Sequence, residues 1–285
     1  MKVFAVYNAK GGVAKSTTAI HLAAGLKLAD PSLRVLLMDM DPQGTLKTYY
    51  KLKIEKGTTL DFVFNTTLQE CVYPIALNIA SKEEVFTFDV IPSNSKLGDF
   101  EAKAAQIPGK EFLLRTRFEE VVLENYYDAV ILDCPPALGL ATQNALCASD
   151  YIILPAQMDA FSSAALNFLI GTLEPIRKYL KLDPKLLGVL PTMFDARTLA
   201  NKDVLEELKK AFPQIHFFEP IRNNTQFKRC ALNKKTVYEY EAGSMNGTHD
   251  YSRFCRDVVL AVGGLRAIKE VKTNQAKANL NEASL

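Results

Sequence analysis

The stretch from Lys10 to Thr17, Lys-Gly-Gly-Val-Ala-Lys-Ser-Thr, combines glycines with two lysines and two hydroxyl residues. It follows the apolar run Val3–Tyr7, which reads as a buried strand, and it precedes Thr17–Leu26, which has the pattern of a helix. At such a turn the free backbone N–H groups and the positive end of the helix dipole favour phosphate oxygens. Lys15 could then reach the β- and γ-phosphates of a nucleotide, and the Ser16 hydroxyl could bind Mg²⁺.

Two alanines depart from the strict phosphate-loop pattern G-x-x-x-x-G-K-[S/T], because Ala9 and Ala14 stand where that pattern has glycine. A Cβ is penalised in left-handed backbone conformations, so we expect Ala14 to keep a negative φ. Taken alone, the eight residues are also compatible with an ordinary glycine turn between a strand and a helix.

Three aspartates follow predicted strands. Asp39 and Asp41 lie in Met38-Asp-Met-Asp-Pro-Gln-Gly44, and Asp133 lies in Val130-Ile-Leu-Asp-Cys-Pro-Pro136. The i, i+2 spacing of the first two directs both side chains to one side of an extended chain. An apolar strand that ends in Asp is the usual way to hold a Mg²⁺-bound water beside a phosphate turn. Each aspartate alone is better explained as a turn or cap former, but three of them with a phosphate turn indicate a nucleotide site.

Apolar strands alternate with helical patterns along most of the chain, and these elements must position the polar residues. The predicted strands are Val3–Tyr7, Val35–Met38, Phe86–Ile91, Ala129–Leu132, Tyr151–Leu154 and Leu186–Leu190, with a weaker one near Phe217–Phe218. The further predicted helices are Phe112–Leu123, Ala164–Leu180, Leu199–Phe212 and Tyr251–Ile268, with short helices between Lys51 and Glu84. This pattern predicts an α/β fold with a mostly parallel, twisted sheet and helices on both faces. Such a sheet binds ligands at the carboxyl ends of its strands.

The composition is typical of one globular domain in a reducing compartment. The 285 residues are 48% hydrophobic, which is enough for a sizeable core. The net charge is only +2, so any affinity for nucleic acid must come from a local patch. The cysteines form no C-x-x-C pair, as expected of reduced cytosolic thiols; they are Cys71, Cys134, Cys147, Cys230 and Cys255. We find neither a basic-then-apolar leader nor an apolar stretch of membrane-spanning length, and we expect a cytoplasmic protein.

The phosphate turn, Asp39-Met-Asp-Pro-Gln-Gly44 and Asp133-Cys-Pro-Pro-Ala-Leu-Gly-Leu-Ala-Thr-Gln-Asn-Ala-Leu146 together resemble the motifs of ParA/Soj-type partition ATPases. These proteins belong, with MinD, to the P-loop ATPases that have a deviant Walker A motif. The similarity runs from Met1 to about Val262. The resemblance implies a single P-loop ATPase domain over residues 1–269, and we expect a flexible tail over 270–285. We expect no helix-turn-helix domain before the first strand, and therefore no sequence-specific operator binding.

The resemblance implies a homodimer that forms around ATP and Mg²⁺, hydrolyses ATP slowly under stimulation by a partner, and then dissociates. It implies that Lys10 reaches across the dimer to the partner's nucleotide, as an arginine finger does, and that Asp41 positions the attacking water. Lys15 completes the predicted catalytic set. The residues expected to order the Mg²⁺ shell are Ser16, Asp39 and Asp133. The residues expected to contact ATP are Lys10, Gly11, Gly12, Val13, Ala14, Lys15, Ser16 and Thr17.

The stretch Ile221–Val237 contains five basic residues and no acidic one. Such a run is usually a solvated face, but in the resembled family the corresponding region contributes to sequence-independent DNA binding by the ATP dimer. The residues expected to bind DNA are Arg222, Lys228, Arg229, Lys234 and Lys235. Arg197 and Lys202 could extend this patch or line the nucleotide pocket. The implied cargo is a chromosome, a plasmid or another assembly, with a ParB-type activator and action at the nucleoid.

Two other functions remain open from the sequence. A MinD-like ATPase acts at a membrane through an amphipathic C-terminal helix, but Leu265, Ile268 and Val271 give the tail only a narrow apolar face without aromatic residues, so we expect no membrane partner. The other is a scaffold that binds ATP as a switch and hardly hydrolyses it. An iron–sulfur protein is disfavoured because Cys134 and Cys147, the closest pair, are better explained as buried small residues.

Overall fold

The architecture comes from a computed structural model, which describes residues 1–64, 66–79, 83–240 and 246–265. The strands are β1 (Lys2–Val6), β2 (Val35–Asp39), β3 (Tyr73–Leu77), β4 (Phe86–Ile91), β5 (Ala129–Asp133), β6 (Tyr151–Gln157) and β7 (Lys185–Thr192). The α-helices are α1 (Lys15–Ala29), α2 (Thr45–Tyr50), α3 (Thr59–Val63), α4 (Phe100–Ala104), α5 (Leu113–Glu120), α6 (Leu140–Ala148), α7 (Ser162–Leu180), α8 (Leu199–Ala211), α9 (Gln226–Leu232), α10 (Val237–Tyr240) and α11 (Asn246–Ala261). Short 3₁₀ turns lie at Ser95–Asp99, Lys110–Phe112 and Leu123–Asn125.

One seven-stranded sheet runs through the described residues in the order β3-β4-β2-β5-β1-β6-β7. Neighbouring strands are parallel, except that β3 is antiparallel to β4. The strands β1, β2, β5 and β6 are buried along nearly their whole length, as expected of continuous apolar runs covered on both faces. The predicted α/β class with a mostly parallel sheet is therefore confirmed.

Two hydrophobic cores lie on opposite faces of the sheet, because successive residues of a strand point to opposite sides. Phe4 and Val6 of β1 belong to the core formed with α1 and α11. Val3 and Ala5 belong to the other core, which includes side chains of α5, α6, α7 and α8. Fully burying a large apolar side chain contributes about 1.5–3 kcal/mol, so the two cores fix the strand ends firmly.

The segment between Lys51 and Glu84 differs most from the prediction. Short helices are expected there and α3 is one, but Tyr73–Leu77 forms the edge strand β3. Exposed and buried residues alternate along the end of β3, since one face of an edge strand packs on the core and the other meets solvent. The strand therefore lacks the continuous apolar run that identifies the central strands.

The segments after β7 also differ from the prediction. The weak strand expected near Phe217–Phe218 is reduced to an isolated parallel bridge between Val189 and Phe217. The predicted tail 270–285 lies outside the described residues, as do Ile268 and Val271 of its apolar face. Within the described ranges, no helix is both long and apolar enough to cross a membrane.

Candidate nucleotide-binding site

The carboxyl ends of five parallel strands meet at one edge of the sheet. β1 leads into the phosphate turn, β2 into the loop Asp39–Gly44, and β5 into Asp133–Pro136. β6 and β7 lead into loops that contain Asp159 and Met193. The polar residues predicted from the sequence therefore lie where α/β sheets bind ligands.

The phosphate turn is anchored to the sheet on one side and to α1 on the other. Gly12 is exposed and has a φ of 76°, a left-handed conformation that costs glycine little. Val13 is fully buried, and its carbonyl accepts a 3.1 Å hydrogen bond from the Thr192 hydroxyl of β7. The Thr18 N–H donates to the Ala14 carbonyl at 2.9 Å, which begins the hydrogen bonding of α1. The turn therefore presents exposed backbone at a helix N-terminus, an arrangement that favours phosphate.

The expectation that Ala14 keeps a negative φ is wrong. Ala14 has a φ of 65° and a ψ of 31°, and it is the N-cap residue of α1. The helix needs the Ala14 carbonyl as acceptor for the Thr18 N–H, and the turn meets that need with a left-handed residue. Such a conformation costs a non-glycine residue about 1–2 kcal/mol, so the alanine is tolerated with strain.

Lys15 is the first residue of α1, and its side chain lines the cleft beside the turn. It is only 8% exposed, and its Nζ donates to the Lys10 carbonyl at 3.0 Å. Burial lowers the pKa of Lys15, while the carboxylates of Asp133 and Asp41 oppose that shift. Burial removes water from around the Lys15 ammonium and so disfavours its charged form. A bound phosphate places negative charge beside the ammonium and stabilises that form.

Asp39 serves the structure of the loop that follows β2. It is fully buried, and its carboxylate accepts hydrogen bonds from the N–H groups of Asp41 at 3.0 Å and of Leu46 at 2.9 Å. Burial, and next the nearby Asp133 carboxylate, raise the pKa of Asp39 well above its usual range. Its position beside Asp133 fits an indirect role in the Mg²⁺ shell, which stays a prediction.

Asp41 is half-buried and lines the cleft that Lys15 also lines. One oxygen of its carboxylate accepts the Gln43 N–H at 2.9 Å. The loop then turns at Gly44, which has a φ of 62° and where a Cβ would stand 2.8 Å from the Ser93 carbonyl oxygen. Only glycine fits this position without strain, and the turn it allows sets the position of Asp41 at the cleft.

Asp133 is 1% exposed, and neither of its carboxylate oxygens has a hydrogen-bond partner among the described residues. Burial raises the pKa of Asp133 to about 7, while the neighbouring Ser16 hydroxyl and the Lys15 ammonium oppose this shift. A buried carboxylate without a partner is costly, and carboxylate and hydroxyl oxygens suit Mg²⁺. Ser16 and Asp133 therefore fit a hydrated Mg²⁺ that also binds nucleotide phosphates.

Mg²⁺ usually keeps several waters and uses substrate phosphates as ligands, so a dedicated protein cage is not required. Across the residues that the structure describes, no group of three or more His, Cys, Asp or Glu side chains is placed to hold a metal ion. The predicted ligands Ser16, Asp39 and Asp133 are consistent with a metal that enters with the nucleotide.

Two adjoining clefts form a groove beside the phosphate turn. The first measures about 400 Å³ and is lined by Gly11, Gly12, Ala14, Lys15, Ser16, Thr17, Asp41, Pro136 and Met193. The second measures about 390 Å³ and is lined by Ala14, Thr17, Thr192, Met193, Ile221, Arg222, Asn223, Asn224, Phe227, Lys228 and Tyr251. The first cleft presents backbone, ammonium and hydroxyl groups suited to phosphates. The second presents aromatic and amide side chains, which suit a nucleobase.

Lys10 lies at the same edge of the sheet but contacts its own chain. Its Nζ is 2.5 Å from Asp159 Oδ2 and 5.2 Å from the centroid of the Phe161 ring. The side chains of Lys10 and Asp159 are 36% and 34% exposed, and Phe161 is 66% exposed. Lys10 is therefore placed at the surface of the site, where a second chain could meet it.

The predicted DNA-binding residues fall into two groups. Lys228, Arg229, Lys234 and Lys235 are all exposed. Arg222 instead forms a bidentate pair with the buried Asp250, at 2.7 and 3.0 Å. Arg222 lines a further cleft of about 470 Å³ together with Arg197, whose side chain is 90% exposed and pairs with Asp195. DNA binding by these residues stays a prediction.

Three residues of the site were not predicted from the sequence. Asn8 is buried, and it fixes the start of the turn by accepting the Lys10 N–H at 2.8 Å and donating to the Pro155 carbonyl at 2.8 Å. Thr192 holds Val13, and Asp159 holds Lys10. All three follow or end a buried parallel strand, the same signal that identifies the predicted aspartates.

The parallel sheet, the glycine turn at the N-terminus of α1, the buried lysine and the strand-end carboxylates define a P-loop nucleotide-binding protein. A family model described as an AAA domain matches residues 1–186. The chain is 35% identical over 263 residues to the sporulation initiation inhibitor protein Soj of Bacillus subtilis, with 90% of this chain and 98% of Soj covered. It is 33% identical over 261 residues to the chromosome partitioning protein ParA of Myxococcus xanthus, covering 90% and 88% of the two chains.

A solved structure, the cobyrinic acid a,c-diamide synthase of Mycobacterium smegmatis with bound ADP and magnesium, is similar with a TM-score of 0.74 at 27% identity. The similarity covers 93% of this chain and 97% of that one. The chain belongs to the Soj/ParA family of partition ATPases, as its three motifs predict.

Proposed function

We propose that this protein hydrolyses ATP, dimerises around it, and in that state binds duplex DNA without sequence preference to position a chromosome, plasmid or other cargo. One observation carries this proposal. The phosphate turn, Lys15 and Asp41 line one cleft, and the adjoining cleft is lined by residues 221–228, at the start of the basic stretch Ile221–Val237. The partition function named for the Myxococcus relative supports the choice of cargo.

The chain's own residues divide the work on ATP. The amides of the phosphate turn and the Lys15 ammonium bind the phosphates, which also relieves the electrostatic cost of burying Lys15. Ser16 and Asp133 would hold Mg²⁺, and Asp39 would act on its shell indirectly. When bound, Mg²⁺ neutralises charge on the phosphates. Asp41, held by its loop and facing the cleft, orients the attacking water.

Lys10 couples hydrolysis to dimerisation. In the single chain it is held by Asp159 and Phe161 at the surface. A partly exposed ion pair contributes about 0–1 kcal/mol, so the greater charge of a partner's nucleotide can replace it. A lysine brought from the second chain then stabilises charge that develops on the phosphates in the transition state. After hydrolysis, departure of the cleaved phosphate removes the group that Lys10 contacts, and the dimer dissociates.

DNA binding uses the exposed cations Lys228, Arg229, Lys234 and Lys235 of each chain. Each phosphate they neutralise adds about one unit to the salt slope of binding, and none of them needs to contact a base edge. Two copies in a dimer give a larger cationic surface than one, which makes affinity depend on dimerisation. We place the protein on the nucleoid in the cytoplasm, with slow turnover that a ParB-type partner stimulates.

Two lysine variants separate nucleotide binding from dimerisation. Lys15→Ala is expected to weaken ATP binding at least about tenfold, because a charge-assisted hydrogen bond is lost. Lys10→Ala is expected to bind ATP normally but to stay monomeric with ATP in analytical ultracentrifugation. Lys178→Ala, an exposed lysine of α7, is the control and is expected to behave like the parent protein.

Unchanged ATP affinity in Lys15→Ala would contradict the nucleotide site. Normal ATP-dependent dimerisation of Lys10→Ala would contradict the role across the dimer while leaving the site intact. Turnover of the parent and of Asp41→Ala, with and without DNA and activator, distinguishes a cycling ATPase from a switch that hardly hydrolyses ATP. Equal turnover of the two proteins under all conditions would favour the switch.

A further inference from the structure

The basic segment, defined as Asn223–Val237, has two sides with different surroundings. On one side, Asn223, Asn224 and Phe227 line the cleft suited to the nucleobase. On the other, Arg229, Lys234 and Lys235 are exposed to solvent, and Lys228 is an exposed residue that also lines the cleft. The element that carries the DNA-binding charges therefore also forms a wall of the nucleotide groove.

The carboxyl end of the basic segment is tied to the loop that carries Asp41. The Tyr49 hydroxyl of α2 donates a 2.6 Å hydrogen bond to the Lys235 carbonyl. α2 itself starts directly after that loop, where the Gly44 N–H donates to the Asp41 carbonyl at 3.0 Å and the Leu46 N–H donates to Asp39 at 2.9 Å. α2 therefore connects the Asp41 loop to the backbone of Lys235.

The same end of the segment is tied to the helix that follows the phosphate turn. The Val237 N–H donates to His21 Nε2 of α1 at 3.1 Å, and the other ring nitrogen lies 2.7 Å from the Thr17 carbonyl. Nδ1 therefore carries the proton. The imidazole is buried, stacks on Tyr251 with centroids 4.6 Å apart and meets Phe227 edge-on at 5.6 Å. α1, which begins at the phosphate turn, and α2, which follows the Asp41 loop, thus each hold the basic segment by a hydrogen bond.

We propose that the basic segment converts nucleotide occupancy into DNA affinity, with Tyr49 and His21 as the positioning residues that hold its cations in the DNA-binding arrangement. This inference rests on the proposed function and adds its regulation. ATP orders the Asp41 loop and the turn before α1, and the two hydrogen bonds pass that order to Lys235 and Val237. Loss of one such hydrogen bond is expected to change the ratio of DNA affinities with ATP and with ADP about twofold to tenfold.

Two adjacent tyrosines provide a matched test. Tyr49→Phe removes the hydrogen bond to Lys235 and keeps the ring. Tyr50→Phe removes a buried hydroxyl that has no hydrogen-bond partner within the described ranges, so it is the control. The quantity to measure is the ratio of affinities for a 30-base-pair duplex with ATP and with ADP. Tyr49→Phe is expected to lower this ratio about fivefold while its ATP affinity matches that of Tyr50→Phe.

An unchanged ratio in Tyr49→Phe would overturn the proposal, as would an equal fall in both variants. Hydrogen exchange supplies a test that needs no DNA. ATP is expected to slow exchange of the Val237 amide in the parent protein, and to do so less in Tyr49→Phe. If the parent protein fails to bind DNA but shows this slowing, the proposed function fails, whereas the link between the nucleotide site and the basic segment stands. If ATP leaves Val237 exchange unchanged in the parent, the coupling fails.

Discussion

Among single residues, Ala14 carries the clearest local strain in the site. Its φ of 65° lies in the left-handed region, where an alanine pays about 1–2 kcal/mol and a glycine pays little. Ala14→Gly is therefore expected to raise the free energy of unfolding of the nucleotide-free protein by about 0.5–1 kcal/mol, after the greater flexibility of glycine in the unfolded chain is subtracted. Urea denaturation measures this change.

Lys181→Gly is a matched control for Ala14→Gly. Lys181 also has a left-handed backbone, with a φ of 57°, but it is exposed at the end of α7 and does not line the groove. Both substitutions should stabilise the fold by similar amounts, and only Ala14→Gly should alter ATP turnover. A loss of stability in Ala14→Gly would show that its left-handed backbone is not a source of strain.

His21 makes the stability of the fold depend on pH. Burial lowers its pKa to about 4, against about 6.5 in an unfolded chain. As pH falls below about 6.5, His21 takes up a proton in the unfolded state but not in the folded state. The contribution of the neutral ring to the free energy of unfolding is therefore complete above pH 6.5 and is lost on acidification. The neutral ring is required because Nε2 accepts the Val237 N–H.

His21→Gln is expected to remove this dependence. Between pH 7.5 and pH 5 the free energy of unfolding of the parent should fall by about 2 kcal/mol relative to the variant. Asp39 and Asp133 have raised pKa values and act in the opposite direction, but they are common to both proteins and cancel in the difference. Urea titrations at several pH values give this difference, and a value independent of pH would contradict the assignment.

At the level of elements, α9 and the turn after it present the cations of the basic segment. Arg229→Gln combined with Lys234→Gln, two exposed cations that do not line the nucleotide groove, is expected to weaken binding of the ATP-bound protein to any duplex and to lower the slope of log affinity against log salt by about two units per chain. Lys209→Gln with Lys210→Gln on α8 is the control, because these lysines are exposed but lie outside the segment. Loss of affinity for one DNA sequence alone would contradict non-specific binding.

The central strands could be predicted because parallel strands covered on both faces are continuous apolar runs. β3 could not, since it is an edge strand with alternating exposure and contains Pro74. The short helices α9 and α10 were also missed, because seven and four residues are too few for a helical period to emerge. Their placement depends on contacts with α1 and α2, which no local pattern reveals.

At the level of the whole molecule, the phosphate-binding chemistry was predictable because its residues are contiguous from Lys10 to Thr17. The residues that hold this turn in place could not be predicted. Thr192 lies 179 positions from Val13, and Asp159 lies 149 positions from Lys10, so only the packing order of β1, β6 and β7 brings them together. The pairing of Arg222 with Asp250 was hidden for the same reason.

DNA affinity is proposed to be a property of the ATP-bound dimer. The most direct test is the affinity for two unrelated duplexes of equal length, measured at one salt concentration with ATP and with ADP. We expect equal affinities for the two duplexes with ATP and affinities at least about tenfold weaker for both with ADP. Equal affinity with ATP and ADP, or a strong preference for one duplex, would contradict the account.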